Sequence, residues 1–233
     1  MNNLYEIFNR LINDLQYANE ESIIKTYDAI AELILHRGHI KVNQKQFLIR
    51  EVEFYYFSKN KHEDIFTHGF HNIDAKERQL TFAQWYFHPN LSGVDLTIGN
   101  NENFGGILIR GINHDDKLID GPFNILKTIL ESFSNNIFSD NSISIFFDDE
   151  HIQRKKIIVS TKRIGLSNKI ETERNAEFIN KPYRYLSLEP NLKNNTKNNK
   201  YEVVLDFKEQ YKELDPNSYF SLDKSTMDNY KKK

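Results

Sequence analysis

Hydrophobic residues recur at helical spacing through the first 36 residues of the chain. Two sets follow this spacing: Leu4, Ile7, Phe8, Leu11, Ile12 and Leu15, then Ile23, Ile24, Tyr27, Ile30, Ala31, Ile34 and Leu35. Intervals of three and four residues place apolar side chains on one face of a helix. The polar stretch from Asn19 to Ser22 predicts a break, with Ser22 capping the second helix and Gly38 ending it.

After Gly38 the pattern changes to short runs of apolar and β-branched residues. These runs occupy residues 39–57, 93–112 and 155–160 and predict β-strands. The polar residues 58–80 predict a long loop, a kind of segment that often carries function. A further helix is expected over residues 122–134, because Pro122 suits a first helical turn.

These elements predict one α+β domain preceded by N-terminal helices. With 233 residues, of which 39% are hydrophobic, the chain can bury one ordinary core. Residues 1–37 are expected to pack as a helical segment on an α+β domain at 38–190. Residues 191–233 are expected to form an Asn/Lys-rich loop and a tail, because residues 191–200 are of low complexity and chain ends fray.

The composition excludes several functional classes. The chain has no cysteine, so disulfides, cysteine-ligated zinc and thiol nucleophiles are excluded. The first residues lack the basic and apolar regions of a signal peptide, and no apolar run reaches roughly 18–20 residues. The histidines show neither His-x-x-x-His nor His-Glu-x-x-His spacing, so no metal is expected. A cytoplasmic protein without a membrane partner is the expectation.

Charge is distributed unevenly along the chain. The formal net charge is -2, yet residues 151–200 contain twelve basic and four acidic residues, a local charge of +8. A polyanion would feel that local field. The alternative interpretation is a solvated basic face without a partner.

Several short segments then follow one another in an informative order. They are Val52-Glu53-Phe54-Tyr55, Thr67-His68-Gly69, Pro89 to Gly99, Ile107-Leu108-Ile109-Arg110-Gly111, Gly121-Pro122-Phe123-Asn124-Ile125, Arg163-Ile164-Gly165-Leu166 and Lys181-Pro182-Tyr183-Arg184-Tyr185. Over roughly residues 40–188 this ordered set resembles the alkyladenine DNA glycosylase family. The chain would be a divergent member of that family.

The resemblance implies a curved antiparallel sheet and a monofunctional DNA glycosylase. Such an enzyme flips a modified base out of double-stranded DNA and hydrolyses its N-glycosidic bond, leaving an abasic site. The resemblance also implies a monomer without a cofactor. On this basis Glu53 is the expected general base, which activates water and stabilises positive charge on the sugar. Tyr55, His68, Phe54 and Val94 are expected to line the base pocket.

Two positions depart from the family pattern. Asp95 stands where a stacking tyrosine is expected, and Ile98 stands where an intercalating aromatic is expected. A carboxylate accepts hydrogen bonds rather than stacking on a ring. The substrate is therefore expected to be a bulkier, more polar base, such as a hypermodified or glucosylated pyrimidine of phage DNA, excised in antiviral defence rather than in repair of alkylated purines.

Each candidate residue also has a purely structural interpretation. Glu53 shares a strand face with Glu51 by the period of two, and both would be ordinary if that face met solvent. Arg110 orients water or a phosphate, or forms a buried ion pair. Asp95 assists Glu53 and reads the base, or it caps a turn or pairs with Arg110. His62 and His71 compete with His68 for the pocket position.

The remaining expectations concern DNA contacts. Phosphates are expected to meet Lys162, Arg163, Lys181 and Arg184, which would make binding salt-dependent. The Trp85-Tyr86-Phe87 cluster packs in the core, or it supplies the wedge that base extrusion requires. Two other functions stay open: a catalytically inactive nucleic-acid-binding module, and a hydrolase of a small nucleoside or ADP-ribose-like ligand.

Overall fold

A computed structural model describes residues 3–89, 92–115, 117–136, 138–148, 156–166, 173–190 and 200–222. Side chains at 173–175 are not described. The helices are α1 (Asn3–Leu15), α2 (Ile23–Arg37), α3 (His68–His71), α4 (Ile73–Gln79), α5 (Pro122–Glu131), α6 (Glu173–Asn180) and α7 (Lys200–Gln210). The strands are β1 (Gly38–Val42), β2 (Lys45–Ser58), β3 (His62–Glu63), β4 (Phe82–Phe87), β5 (Val94–Ile98), β6 (Phe104–His114), β7 (Lys117–Asp120), β8 (Ile143–Phe147), β9 (Ile157–Thr161) and β10 (Arg184–Leu188).

The strands of the described chain form one curved antiparallel sheet. Its main order is β4-β5-β6-β2-β1-β8, and β10 joins the sheet by pairing with β2 and β9. The long strand β2 pairs with β6 along one side and successively with β1, β10 and β3 along the other. The expected α+β fold with N-terminal helices is confirmed.

The N-terminal helices cover one face of this sheet. Their apolar stripe includes Tyr27, which stacks on Phe54 of β2 with ring centroids 4.4 Å apart, and both residues are buried. Helix α2 ends before Gly38, whose added Cβ would lie 2.5 Å from the Ile34 carbonyl oxygen, so only glycine fits. The prediction that the Ser22 side chain caps α2 is wrong, because the Ser22 hydroxyl contacts Asn19 rather than a helix amide.

Two segments are more ordered than the sequence suggested. Residues 58–80 contain β3, α3 and α4 instead of a continuous loop, and the side chain of Asn72 caps α4 by accepting from the Ala75 amide. In the C-terminal region, α7 packs against β9 and forms a second small core with β10. The expectation of a loop and tail is therefore wrong for residues 200–222, while residues 191–199 and 223–233 lie outside the described ranges.

None of the described helices combines the length and apolar character needed to cross a membrane.

Candidate active site

One row of side chains crosses the sheet on the face opposite α2. Cross-strand pairing places Tyr86, Asp95, Leu108, Glu53, Arg184 and Thr161 next to one another on β4, β5, β6, β2, β10 and β9. Residues directly opposite in antiparallel strands project to the same side. Two strands that share one neighbour lie about 10 Å apart, and Leu108 of β6 lies between Glu53 of β2 and Asp95 of β5.

Glu53 is fully buried and held by three donors. Its Oε1 accepts from the Ile164 amide at 2.9 Å, and its Oε2 accepts from the Tyr55 hydroxyl at 2.8 Å and from Arg110 Nη1 at 3.3 Å. Burial raises the pKa of Glu53, while Arg110, the Ile164 amide and Tyr55 oppose that rise. A fixed carboxylate with a raised pKa suits a general base. The interpretation of Glu53 as a solvent-facing acid is wrong.

Arg110 joins Glu53 to a second buried carboxylate, Glu51. The β2–β6 register shifts next to Glu51, which leaves Arg110 between the residues paired with Glu51 and Val52. From this bulge Arg110 contacts Glu53 and also donates from Nε to Glu51 Oε1 at 3.3 Å. Arg184 Nε donates to the same Glu51 oxygen at 2.7 Å. Arg110 thus forms the buried ion pair that the sequence left open, and it does so with the expected general base.

Tyr55 is held between Glu53 and a buried arginine. The Arg163 guanidinium lies 4.5 Å from the Tyr55 ring centroid and covers that face of the ring. Arg163 itself pairs with Asp64 through both Nη atoms, at 2.5 and 3.1 Å. Burial, reinforced by Glu53, raises the pKa of Tyr55, so its hydroxyl stays protonated and donates. The structure places Tyr55 in the site, where it orients Glu53.

Asp95 is buried in contact with His88 and Gln79. Its Oδ1 lies 2.8 Å from His88 Nε2, and its Oδ2 accepts from Gln79 Nε2 at 3.2 Å. Gly106 makes room for this carboxylate, since an added Cβ would lie 2.6 Å from Oδ2. Asp95 therefore lies in the same row as Glu53. The alternative pairing of Asp95 with Arg110 is wrong, because Arg110 binds Glu51 and Glu53.

The three competing histidines occupy different places. His68 begins α3, and its ring centroid lies 4.3 Å from that of His88. His68 is exposed overall, yet partial burial of its ring and the neighbouring His88 lower its pKa, and Asp95 opposes this effect. His62 is buried beside Tyr27 on the other side of the sheet, and His71 is exposed. Only His68 of the three adjoins the row.

Two expected pocket residues lie on the wrong face. Phe54 and Val94 are buried in the main core, where Phe54 stacks on Tyr27 of α2. Side chains alternate along a strand, so Phe54 and Val94 point away from their neighbours Glu53 and Asp95. The prediction that they line the base pocket is therefore wrong. Ile98 is buried in the same core and does not form an exposed wedge.

The aromatic cluster is divided between the two faces of β4. Trp85 packs against the main core and Tyr86 lies in the row beside Asp95. Phe87 keeps 37% of its surface exposed, and Phe123, at the start of α5, keeps 53%. Core packing therefore accounts for Trp85, and Phe87 is the member of the cluster with the exposure that a wedge requires.

The four basic residues expected to contact phosphates all pair with acids in the structure. Arg163 and Arg184 are buried against Asp64 and Glu51, so the expectation that they hold phosphates is wrong. Lys162 pairs with Glu202 at 2.6 Å, and Lys181 pairs with Glu20 and Glu177. Five other basic residues of the segment lie outside the described ranges, namely Arg154, Lys155, Lys169, Lys193 and Lys197, and the side chain of Arg174 is not described either.

Three contributors were not predicted from the sequence. They are His88, Gln79 and the backbone amide of Ile164. His88 follows the aromatic cluster without any spacing that marks it, and Ile164 acts through its main chain. Within the described ranges, no three His, Asp or Glu side chains group in a way that could hold a metal ion.

Comparison with protein-family models and with curated protein sequences gives no match. The resemblance to alkyladenine DNA glycosylases therefore stays a prediction, carried by the ordered segments and by the chemistry of the site.

Proposed function

We propose that this protein is a monofunctional DNA glycosylase in which Glu53 activates the hydrolytic water. The observation that carries the proposal is the state of Glu53, a buried carboxylate whose orientation is fixed by Ile164, Tyr55 and Arg110. An ionised carboxylate has about four acceptor positions. Three are occupied by these donors, and the proposal requires the fourth to accept from the hydrolytic water.

The arrangement fits hydrolysis of an N-glycosidic bond. The transition state carries positive charge on the sugar, and a carboxylate in a low-dielectric site stabilises that charge strongly. Glu53 would take a proton from water as the water oxygen bonds to the anomeric carbon. Arg110 and the Ile164 amide lower the pKa of Glu53 against the larger effect of burial, and Tyr55 donates to Oε2.

The polar side chains on the Asp95 side of Leu108 favour a polar base. Asp95 takes the sequence position where the resemblance expects a stacking tyrosine, its Oδ1 lies 2.8 Å from His88 Nε2, and the fully buried Gln79 donates to its Oδ2. Such groups exchange hydrogen bonds with amino, oxo or hydroxyl substituents. We extend the proposal to hypermodified or glucosylated pyrimidines in double-stranded phage DNA, excised in the cytoplasm as a defence.

A specific observation favours a second candidate, a catalytically inactive nucleic-acid-binding module. Glu53, Arg110, Glu51 and Arg184 form a continuous buried ion network, and such networks also occur as purely structural features. In that case Glu53 would hold Arg110 and take no part in chemistry.

Base release separates the two candidates. Duplexes carrying alkylated purines, deaminated bases, or hydroxymethylated and glucosylated cytosines would be incubated with wild type, Glu53→Gln and, as a matched control, the exposed Glu131→Gln. We expect one modified base to be released by wild type and Glu131→Gln and to be retained by Glu53→Gln, with a loss of 10²–10⁴-fold typical of a general base. DNA binding without release from any duplex would favour the inactive module.

A further inference from the structure

A small cavity lies on the face of the sheet that the N-terminal helices cover. It is lined by residues of α1, by Tyr56 of β2, by Phe82 of β4 and by the turn that follows β5, and its volume is about 220 Å³. Side chains alternate along a strand, so Tyr56 points away from the face that carries Glu53 and Tyr55. Helix α1 lies outside the residues that resemble the glycosylase family, and the resemblance assigns no role to this cavity.

The lining of the cavity favours a small, uncharged ligand. All of the described residues around it are uncharged, and they combine apolar side chains with amides. A charged ligand would lose hydration here without gaining an opposite charge, which is unfavourable. Ligand sites commonly have volumes of roughly 300–1,000 Å³. A cavity of about 220 Å³ therefore has room for a single ring rather than for a nucleotide cofactor.

Phe82 supplies a flat wall of this cavity. It lies opposite Ile98 in the β4–β5 pairing, so both side chains project to the same side of the sheet. Ile98 is buried, whereas Phe82 keeps 39% of its surface exposed. The β4–β5 register shifts directly after Phe82, where Ala83 has a φ of 54°. Bulges re-aim side chains beside functional sites, and an exposed aromatic ring can accept a flat base by stacking.

A chain of hydrogen bonds fixes the orientation of one amide in the lining. Asn100 Oδ1 accepts from the Asn103 main-chain amide at 2.8 Å, so Asn100 Nδ2 is the donor to Gln16 Oε1, at 3.0 Å. Gln16 then has Nε2 left to donate. Within the described ranges, neither this Nε2 group nor the side chains of Asn13 and Asn101 have a hydrogen-bond partner in the protein. A ligand carbonyl would supply the acceptor that Gln16 lacks.

We propose that this cavity binds a single uncharged heteroaromatic base that bears a carbonyl group, a class to which the pyrimidine nucleobases belong. The ring stacks on Phe82, and its carbonyl oxygen accepts from Gln16 Nε2. The amides of Asn13 and Asn101 bind other polar groups on the edge of the base. The cavity shares no residue with the row around Glu53, so base binding here and base excision there can fail separately.

Calorimetric titration of the full chain with thymine tests the proposal. The matched ligands are adenine, which has no carbonyl, and 5,6-dihydrothymine, whose ring is not flat. The variants are Phe82→Leu, Phe82→Tyr and Gln16→Glu, which keeps an oxygen facing Asn100 but removes the donor. Phe138→Leu, at a phenylalanine that is 90% exposed, is the control. Each variant is checked for its thermal unfolding midpoint.

We expect saturable binding of thymine to wild type and weaker binding of adenine and 5,6-dihydrothymine. The affinity for thymine should fall by about 5–150-fold in Phe82→Leu, which removes the stacking ring. It should fall by about ten-fold in Gln16→Glu, which removes one hydrogen bond. Phe82→Tyr and Phe138→Leu should bind thymine as wild type does.

A competition experiment identifies the source of the base. Displacement of thymine from wild type by single-stranded oligothymidylate would assign the cavity to a base within a DNA strand, and the absence of displacement would assign it to a free base. An affinity for thymine that is unchanged in both Phe82→Leu and Gln16→Glu, or equal binding of all three ligands, would overturn the proposal. So would the absence of saturable thymine binding, and none of these outcomes bears on base excision at Glu53.

Discussion

Tyr55 donates its hydroxyl to Glu53 Oε2 at 2.8 Å, two residues along the same face of β2. The bond places a neutral donor on the oxygen that also receives Arg110, so the carboxylate has one fixed orientation. Tyr55 is in turn held by Arg163, which stacks on its ring. The geometry of the expected general base therefore depends on residues 2, 57 and 110 positions away in the sequence.

The Tyr55→Phe variant tests this dependence. Loss of the hydroxyl removes one influence that lowers the pKa of Glu53, so the acid limb of the base-release profile should move to higher pH. The rate at neutral pH should fall several-fold, and the free energy of unfolding should fall by about 1 kcal/mol. A pH–rate series on one duplex measures the shift. Tyr56→Phe, on the opposite face of β2, should leave the limb in place.

Glu53→Gln should separate activity from stability. The pKa of Glu53 is raised in the folded protein above its ordinary value of 4.5. Folding is therefore favoured by the protonated form, and this contribution is fully present below the unfolded pKa and lost as pH rises through the folded pKa. A glutamine has no such dependence. The variant should gain stability relative to wild type as pH rises above the ordinary pKa of Glu53, while base release is lost.

Urea unfolding of both proteins at several pH values measures this difference. Burial is expected to destabilise the ionised form of Glu53. A stability difference that stays constant over the range, or a variant that loses stability relative to wild type as pH rises, would contradict this.

Lys162 and Lys181 should contribute to DNA affinity through phosphate contacts that weaken as the salt concentration rises. Lys162 and Lys181 are paired with acids, yet both remain partly exposed. Replacing a lysine that contacts a phosphate reduces the slope of log K against log salt concentration by about 1 and weakens all sequences alike. Binding titrations of Lys162→Ala and Lys181→Ala at several salt concentrations check this. The exposed Lys127 of α5 supplies the control, and an unchanged slope in both variants would exclude these two contacts.

The sequence predicted those features that depend on local periodicity. The spacing of two placed Glu51 and Glu53 on one face, and both are indeed contacted by Arg110. The helical repeat located α1 and α2, and Pro122 marked the first residue of α5. In each case the signal lies within a few residues of the feature that it predicts.

Features that depend on the register between strands could not be predicted from the sequence. Asp95 and Glu53 face the same residue because β5 and β2 both pair with β6 at Leu108, and a one-residue slip would turn either side chain over. The bulge that aims Arg110 has no sequence mark. Arg163 was expected on the surface because its partner, Asp64, lies 99 residues earlier, in a segment expected to be a loop.

The buried pair of Arg163 and Asp64 should be structural rather than catalytic. Both side chains have 0% exposure, and Arg163 also donates to the Phe54 and Phe178 carbonyls. Asp64→Asn would keep the shape and leave a buried guanidinium without its counter-charge, a change that typically lowers the free energy of unfolding by about 3–5 kcal/mol. Glu131→Gln, in the exposed Lys127–Glu131 pair, should lower it by no more than about 0.5 kcal/mol. Urea midpoints compare the two variants, and near-equal midpoints would show that the carbonyl contacts alone suffice to hold Arg163.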